Sequence, residues 1–345
     1  MKKLIFLLAI VATLSSCKNA VDAPDVSDIQ VSLKVERFDR SFFSIDTTRL
    51  LEDLINVQKA HPGFYPLYME NIVGVPADLG AKDPPLQRDV QDVLHFFFQG
   101  YRPLYDTLMR SYADVKDIDE AVTQGLRYVR HYFPRYELPR RLIFFIGPFD
   151  APGAALTNEG IAIGLQLFAG EDFSFYGSDQ GRALFPEYIS RRFSREYIPV
   201  NCMKLLVEDL CPDTTRANPL IDQIIRRGRE AWLLDRFLPF TADSLKMGYT
   251  GKQLKWCEAN EALIWSHLLR NVDLQSIEPD VINNFLGEGP FTAGLDQDNS
   301  PGNLGTWVGR QIVRTYMEKF PKMSVTELIR MSPDNILEAS AYKPR

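Results

Sequence analysis

The sequence predicts an α+β fold that is predominantly helical and contains one small β-sheet. Apolar residues recur at helical spacing through most of the 345 residues. Only three short segments have the alternation or the compact apolar run that is typical of strands. Helical segments flank them without regular strand–helix alternation, which favours an α+β arrangement over a doubly wound one.

The first third of the chain is predicted to be mostly helical after one opening strand. Leu33 and Val35 alternate with Lys34 and Glu36, as residues of a half-buried strand do. The helical segments that follow are residues 50–57, 86–98, 101–112 and 118–132.

Two apolar segments are predicted to pair in the sheet. Leu142–Ile146 is a short apolar run between Arg141 and Gly147, which has the length of a buried strand. Ile161–Leu167 is the expected partner, because Asn158-Glu159-Gly160 before it has the chemistry of a tight turn. The sheet is therefore expected near the middle of the chain.

Beyond the sheet the pattern returns to helices. The predicted segments are residues 187–196, 200–210, 219–236, 252–270, 279–286 and 304–319. Ser324 and Glu327 have the spacing of a capping box, which predicts a helix start. Pro333 is expected in the first turn of a final short helix.

The first residues have the order of a bacterial lipoprotein signal. Lys2 and Lys3 precede the apolar run Leu4–Leu14, and small residues then lead to Cys17. This run is too short for the roughly 20 residues that a membrane-spanning helix needs. We therefore predict a signal peptide over residues 1–16 and lipid attachment at Cys17, which would anchor the protein to a membrane without crossing it.

Residues 17–30 are polar and show no helical or strand period, so they are predicted to form the lipidated cysteine and a flexible tether. Folding is expected to begin near Val31, with one globular domain over residues 31–345. Lys18 stands where an aspartate would suggest retention at the inner membrane. We therefore expect an outer-membrane position facing the periplasm.

Charge and cysteine content exclude two classes of protein. The formal net charge of -6 and the pI near 5.4 argue against nucleic-acid binding, which normally uses a clustered basic face. Apart from the anchor, the cysteines are too few for a disulfide framework. Cys202, Cys211 and Cys257 are expected to be buried free thiols.

Sequence motifs of common catalytic sites are missing. The histidines at positions 61, 95, 131 and 267 lack the His-Glu-x-x-His spacing of a zinc helix. There is no Gly-x-Ser-x-Gly elbow and no phosphate-binding loop, and residues 296–307 do not complete an EF-hand. The sequence therefore predicts no enzyme activity, metal or cofactor, and structural roles for the histidines.

The densest group of polar and aromatic side chains lies between Trp256 and Trp265. Glu258 and Glu261 are three residues apart and would share one face of a continuous helix, with Asn260 between them. Two such carboxylates could serve acid–base chemistry or hold a cation, or they could be surface charges. The tryptophans are expected to be core residues or interface anchors.

Several segments occur together in a recognisable order. They are LTNEGIAIGL at 156–165, GREA at 228–231, LP at 238–239, GYT at 248–250, the helix at 256–265, GP at 289–290 and SPGNLGTWVG at 300–309. Together they resemble the gliding motility-associated lipoprotein GldB family of the Bacteroidetes, over nearly the whole mature chain. None of these segments is a catalytic signature in itself.

The resemblance implies an envelope lipoprotein associated with gliding motility or a related secretion machinery. More distantly, the order of sheet, helices and Gly-Arg-Glu segment is similar to predicted zinc-dependent proteases that carry a His-Glu-x-x-His helix. Here Asn201–Leu205 and Glu187–Arg191 both lack histidine. This similarity therefore implies a degenerate zincin-like fold without its metal ligands, reused for binding.

Two functions from different classes follow. The favoured one is a non-enzymatic lipoprotein that binds other envelope proteins, with Trp256, Trp265 and Trp307 as anchors if they are exposed. The alternative is a hydrolase with a carboxylate site. That site would combine Glu258 and Glu261 with Glu159 or Glu187. Two of these carboxylates converging in a pocket would favour the enzyme, and their dispersal over open surface would favour the binding protein.

Overall fold

The computed structural model describes residues 23–78, 84–212 and 218–345. The predicted signal peptide and Cys17 lie outside these residues. The described chain is predominantly helical with one small mixed sheet, which confirms the predicted α+β class. None of its helices combines the length and the apolar character that a membrane span requires.

Helices make up most of the described chain and are numbered here in chain order. Helices α1 to α8 are Phe38–Phe43, Leu50–Ala60, Phe64–Tyr68, Pro84–Ser111, Lys116–Tyr132, Asp179–Leu184, Glu187–Ser190 and Ile198–Leu210. Helices α9 to α16 are Leu220–Phe237, Asp243–Met247, Gly251–Ala259, Glu261–Asn271, Pro279–Leu286, Leu304–Lys319, Val325–Arg330 and Pro333–Ser340. Single 3₁₀ turns occur at Thr47–Arg49, Leu165–Leu167 and Arg195–Tyr197, and a π turn occurs at Met69–Val73.

The sheet has the strand order β1-β2-β4-β3. Its strands are β1 (Lys34–Arg37), β2 (Arg141–Phe145), β3 (Ala154–Thr157) and β4 (Gly160–Gly164). β1 pairs with β2 and β2 with β4 in parallel, whereas β3 runs antiparallel to β4. β4 and nearly all of β2 are buried, as the apolar composition of these two strands predicts. β3 is half-buried and forms an edge.

Several elements differ from their predicted bounds. The predicted segments 86–98 and 101–112 form one helix, α4 (Pro84–Ser111), because Gly100 faces open space and weakens the helix without breaking it. β3 was not predicted, because two of its residues are alanines, which are weak strand formers. The predicted helix at 187–196 is limited to the short α7, followed by a 3₁₀ turn.

Helices α9 and α14 pack backbone against backbone at two glycines. A Cβ on Gly228 of α9 would overlap the Gly309 backbone, and a Cβ on Gly309 would overlap the Ile224 carbonyl. On α14, Trp307 is 1% exposed and Ile312 is fully buried beside this contact. The glycines therefore let two long helices approach closely enough to form the centre of the core.

A buried ion network joins α9, α10 and α14. Arg310 donates from Nε to Asp235 at 2.7 Å and from Nη2 to Asp243 at 2.5 Å. Lys246 Nζ lies 2.7 Å from Asp235 and 2.8 Å from Asp243. The two cations and two carboxylates thus neutralise one another, which is what makes their burial tolerable. They line a cavity of about 760 Å³.

The packed chain begins earlier than the expected start near Val31. Val26 is only 2% exposed, and Ala23 lines the same cavity as Arg310. Burial of Val26 holds the segment before β1 against the domain.

The three cysteines of the described residues are free, as predicted. Cys202 and Cys257 are buried, but Cys211 is only half-buried because it follows the last residue of α8. Burial raises the pKa of all three thiols, so they are poor nucleophiles at neutral pH.

We expect Gly309→Ala to lower the free energy of unfolding by about 2 kcal/mol or more, because the added methyl meets rigid backbone. The matched control is Gly100→Ala, where nothing lies near the new methyl. That change should raise stability by about 0.5–1 kcal/mol through helix propensity. Urea unfolding followed by circular dichroism measures both, and equal effects of the two changes would contradict the close α9–α14 contact.

We expect Arg310→Met to cost about 3–5 kcal/mol at pH 7, since it leaves two carboxylates with one cation. Burial alone would raise the pKa of Asp243, but Arg310 and Lys246 outweigh it and the pKa falls below its usual 3.8. A depressed carboxyl pKa stabilises the fold above the usual value and loses this effect as pH falls through the folded pKa. Wild type should therefore lose more stability on acidification below pH 3.8 than the variant does, in urea titrations at several pH values.

Candidate functional site

The predicted carboxylate pair does not share a face of one continuous helix. The expected helix over 252–270 is divided at Asn260, whose backbone is not helical and whose side chain donates to the Trp256 carbonyl at 2.8 Å. Glu258 and Glu261 therefore lie on two different helices. Glu258 is exposed, whereas Glu261 accepts a 2.6 Å hydrogen bond from the Tyr342 hydroxyl. The second carboxylate is thus a tertiary contact to the C-terminus.

The three tryptophans have two different roles. Trp256 and Trp265 are half-buried, and the Trp265 ring packs edge-on against Tyr342 with 5.2 Å between centroids. Trp307 is 1% exposed, so it does not meet the condition for an interface anchor. It is a core residue of α14 instead, a helix with residues buried on several sides.

The remaining candidate carboxylates are dispersed. Glu159 lies in the β3–β4 turn and binds Arg141 Nη1 at 2.7 Å. Glu187 is exposed on α7. Of five cavities along the described residues, none is lined by two of these four glutamates. Within the same residues, no group of three His, Cys, Asp or Glu side chains is placed to hold a metal ion.

The structure instead brings distant segments together around a cleft between α8 and β3, which we call the α8–β3 cleft. Its first part is a cavity of about 330 Å³ that includes Ala154 of β3, Asn201 and Lys204 of α8, Gly248 and Glu288. A second cavity of about 220 Å³ adjoins it and shares Lys204, Glu208 and Glu288. Its other lining residues include Arg227, Glu230, Ala231, Asn303 and Thr306.

The amphipathic pattern of α8 explains why this wall is polar. The helix begins with Pro199 in its first turn, a position that leaves no helical hydrogen bond unmade. Cys202, Met203, Leu206 and Val207 are buried on one face. The other face therefore presents its partly exposed side chains to the cleft: Asn201, Lys204, Leu205 and Glu208.

A bidentate ion pair closes one side of the cleft. Arg192 Nη1 and Nη2 each lie 3.1 Å from one carboxylate oxygen of Glu288. Gly248 beneath them has a φ of 70°, and a Cβ there would meet the Arg192 guanidinium at 2.8 Å. The glycine thus permits both the left-handed turn and the position of the arginine.

Lys204 is the cation that this arrangement leaves without a partner. No carboxylate of the described residues lies within 4.0 Å of its Nζ atom, although Glu208 follows one helical turn later. Burial, followed by the nearby Arg192 cation, lowers the pKa of Lys204. The ammonium therefore faces a partly desolvated space without the ion pair that would offset its desolvation.

Segments that carried the family resemblance meet at this cleft. A Cβ on Gly302 would overlap the Gly289 carbonyl, so the GP and SPGNLGTWVG segments pack together. The Tyr249 hydroxyl donates to the Asn303 carbonyl at 3.0 Å, which adds the GYT segment. Glu230 of GREA and Asn303 both line the second cavity. These segments, remote along the chain, are thus neighbours that shape one concave surface.

A second polar cluster lies away from the cleft, at β1. His61 Nε2 is 2.9 Å from Ser41 Oγ, and its Nδ1 is 3.5 Å from the Glu36 carboxylate. The Glu36 carboxylate also forms ion pairs with Lys34 Nζ at 3.0 Å and with Arg141 Nε at 3.5 Å. The His61 ring packs edge-on against Phe38. The cluster connects β1, α1, the end of α2 and β2. His61 therefore has a structural role, because its ring contacts residues of β1 and α1.

Sequence reasoning missed Lys204, Arg192 and Glu288 as cleft residues. Lys204 had a detectable signal, since it is the single charged residue between Ile198 and Val207. Arg192 and Glu288 had none, because their pairing joins two loops far apart in the chain.

We expect Lys204→Met to raise the free energy of unfolding by about 1 kcal/mol at pH 7, because it removes a half-buried unpaired charge. The folded pKa is lowered, so this cost is fully present below it and disappears as pH rises toward the usual 10.5. The stability difference between variant and wild type should shrink accordingly in urea titrations. Lys255→Met, at an exposed position of α11, is the control and should change little.

Comparison with known proteins agrees with the resemblance drawn from the segments above. The family described as gliding motility protein GldB matches residues 19–344. No curated protein and no solved structure matches the chain, so the zincin-like fold stays a prediction. Because the family match spans nearly the whole chain, the protein belongs to the gliding motility protein GldB family.

Proposed function

We propose that the protein is a lipid-anchored envelope lipoprotein that binds another envelope protein in the α8–β3 cleft and performs no catalysis. The partner belongs to the gliding machinery or to a related secretion apparatus. One observation carries this proposal. Three of the segments that carried the family resemblance, GREA, GYT and SPGNLGTWVG, meet around a single half-polar cleft, which they line with Glu230, Gly248 and Asn303.

The composition of the cleft supports binding. Its walls combine backbone of an edge strand, the aliphatic side chain of Leu205 and a few fixed charges, the mixture found in recognition sites. The Arg192–Glu288 pair joins two segments across it, so the shape is held before a partner arrives. The dispersal of Glu159, Glu187 and Glu258 is what the binding interpretation expects.

The order of the first residues supports the anchor. Lys2, Lys3 and the apolar run before Cys17 have the arrangement of a lipoprotein signal. Several acyl chains on Cys17 would hold the protein at a membrane more firmly than a single chain does. We place the lipoprotein at the outer membrane, facing the periplasm.

We expect the tagged lipoprotein, purified from detergent-solubilised envelopes of its own organism, to recover a gliding or secretion component in stoichiometric amount. Cys17→Ala should release the protein from the membrane fraction and weaken this recovery. Leu205→Arg, which fills the cleft with a charged side chain, should abolish it.

Leu263→Arg is the matched control, because Leu263 is 54% exposed on α12, an element that lines neither cavity of the cleft. It should leave recovery intact. Thermal unfolding of each variant checks that the fold is retained. Loss of the partner in Leu263→Arg but not in Leu205→Arg would move the binding surface to α12, and recovery of the lipoprotein alone would refute a stable complex.

A further inference from the structure

The buried ion network lines a cavity of about 760 Å³, which we call the α14 cavity because α14 contributes much of its wall. Its volume lies within the roughly 300–1,000 Å³ that small-ligand sites occupy. One part of the wall is apolar and includes Trp232, Met317, Met323 and Val325. The rest carries four cations and three carboxylates, which leaves one positive charge in excess.

Arg236 is the cation of this cavity that has no carboxylate partner. The others are paired, since Arg310 and Lys246 belong to the ion network and Arg314 Nε binds Glu318 at 3.0 Å. Within the described residues Arg236 forms no ion pair, and its Nε atom is buried without a hydrogen-bond acceptor. A buried N–H group without an acceptor costs free energy, which an incoming anion would recover.

Two contacts hold Arg236 in place without using its hydrogen-bond donors. Its guanidinium carbon lies 4.7 Å from the centre of the Trp232 ring, in a cation–π contact. It also stands in the last turn of α9, where a cation interacts favourably with the helix dipole. Paired N–H groups of a planar guanidinium match two oxygens of a phosphate. The cavity therefore holds an oriented donor group of the kind that binds phosphate.

The surroundings of the α14 cavity suit a membrane lipid. Ala23 lines it, so the chain that leads back to Cys17 leaves the domain here. Phe240 and Phe320 are 70% and 41% exposed, and each is the sequence neighbour of a proline that lines the cavity. Exposed aromatic rings are typical of surfaces that lie in the interfacial layer of a bilayer. With the proposed anchor at Cys17, phospholipid headgroups are anions within reach of Arg236.

We propose that the α14 cavity binds the phosphate of an anionic phospholipid headgroup. Arg236 donates to the phosphate oxygens, the apolar wall packs against the glycerol and upper acyl carbons, and Phe240 and Phe320 enter the interfacial layer. The site adds a lipid contact to the proposed function. It draws on the proposed anchor and is independent of a partner in the α8–β3 cleft.

The test uses full-length lipoprotein in micelles of an uncharged detergent that contain phosphatidylglycerol or phosphatidylcholine at the same mole fraction. A lipid that binds only the folded protein raises its stability. We expect the thermal unfolding midpoint, followed by circular dichroism, to be about 2 °C or more higher with phosphatidylglycerol. Sodium phosphate, compared with sodium chloride at equal ionic strength, should shift the midpoint less, because it cannot contact the apolar wall.

Arg236→Gln should remove the difference between the two lipids. Arg236→Lys keeps the charge without the planar fork, so it should retain part of the difference. Arg270→Gln is the matched control and should retain all of it, because Arg270 also stands in the last turn of a helix but is exposed and does not line the α14 cavity. Phe240→Ser should reduce the difference. Each variant is compared with itself in two lipids, so a change in its own stability does not affect the result.

Equal midpoints of the wild type in the two lipids would overturn the lipid site. A difference that persists in Arg236→Gln, or that Arg270→Gln also loses, would do the same. An equal shift with inorganic phosphate would show a site for free anions instead, and a difference unchanged in Phe240→Ser would overturn the interfacial role of Phe240. The Cys17→Ala fractionation and the Leu205→Arg recovery test the proposed function separately, because the micelle experiment needs neither the anchor nor a partner.

Discussion

The close contact between Gly228 and Gly309 is the constraint on which the rest of the structure depends. Backbone packing at this point sets the distance between α9 and α14, because a single methyl at either glycine would overlap main-chain atoms. That distance brings Arg310 of α14 within reach of Asp235 of α9. It also sets where the loop before α14 lies, and so where Asn303 meets Tyr249.

Close packing at glycines explains why the segments that carried the family resemblance contain no catalytic signature. Gly228, Gly302 and Gly309 serve close approach, and Tyr249 serves a hydrogen bond to a neighbouring loop. Their collective effect is to shape one wall of the α8–β3 cleft. The family segments thus shape the cleft, while the polar groups that face it come largely from α8 and from loops outside those segments.

Sequence patterns predicted the elements whose hydrophobic period is strong. They failed where a tertiary contact determines the end of a helix or the burial of a side chain. The bounds of α13 and α14 agree with the predicted ones. The division at Asn260 was not foreseen, because its helical propensity is ordinary and the break follows from its own backbone contacts. Trp307 could not be assigned to the core without knowing that neighbouring helices bury α14 on several sides. The cleft was unpredictable for the same reason, since its charges meet only after folding.

The burial of Val26 limits how far the domain can stand from the proposed lipid anchor at Cys17. Six peptide units separate Cys17 from Ala23, and a fully extended chain of that length reaches about 20 Å. Ala23 lines the same cavity as Met317 of α14 and as Pro321 and Met323, which follow that helix. If Cys17 carries a lipid, the short chain between Cys17 and Ala23 keeps this part of the domain close to the bilayer surface. Any partner in the cleft must then be membrane-bound itself or must approach within a domain's width of the membrane.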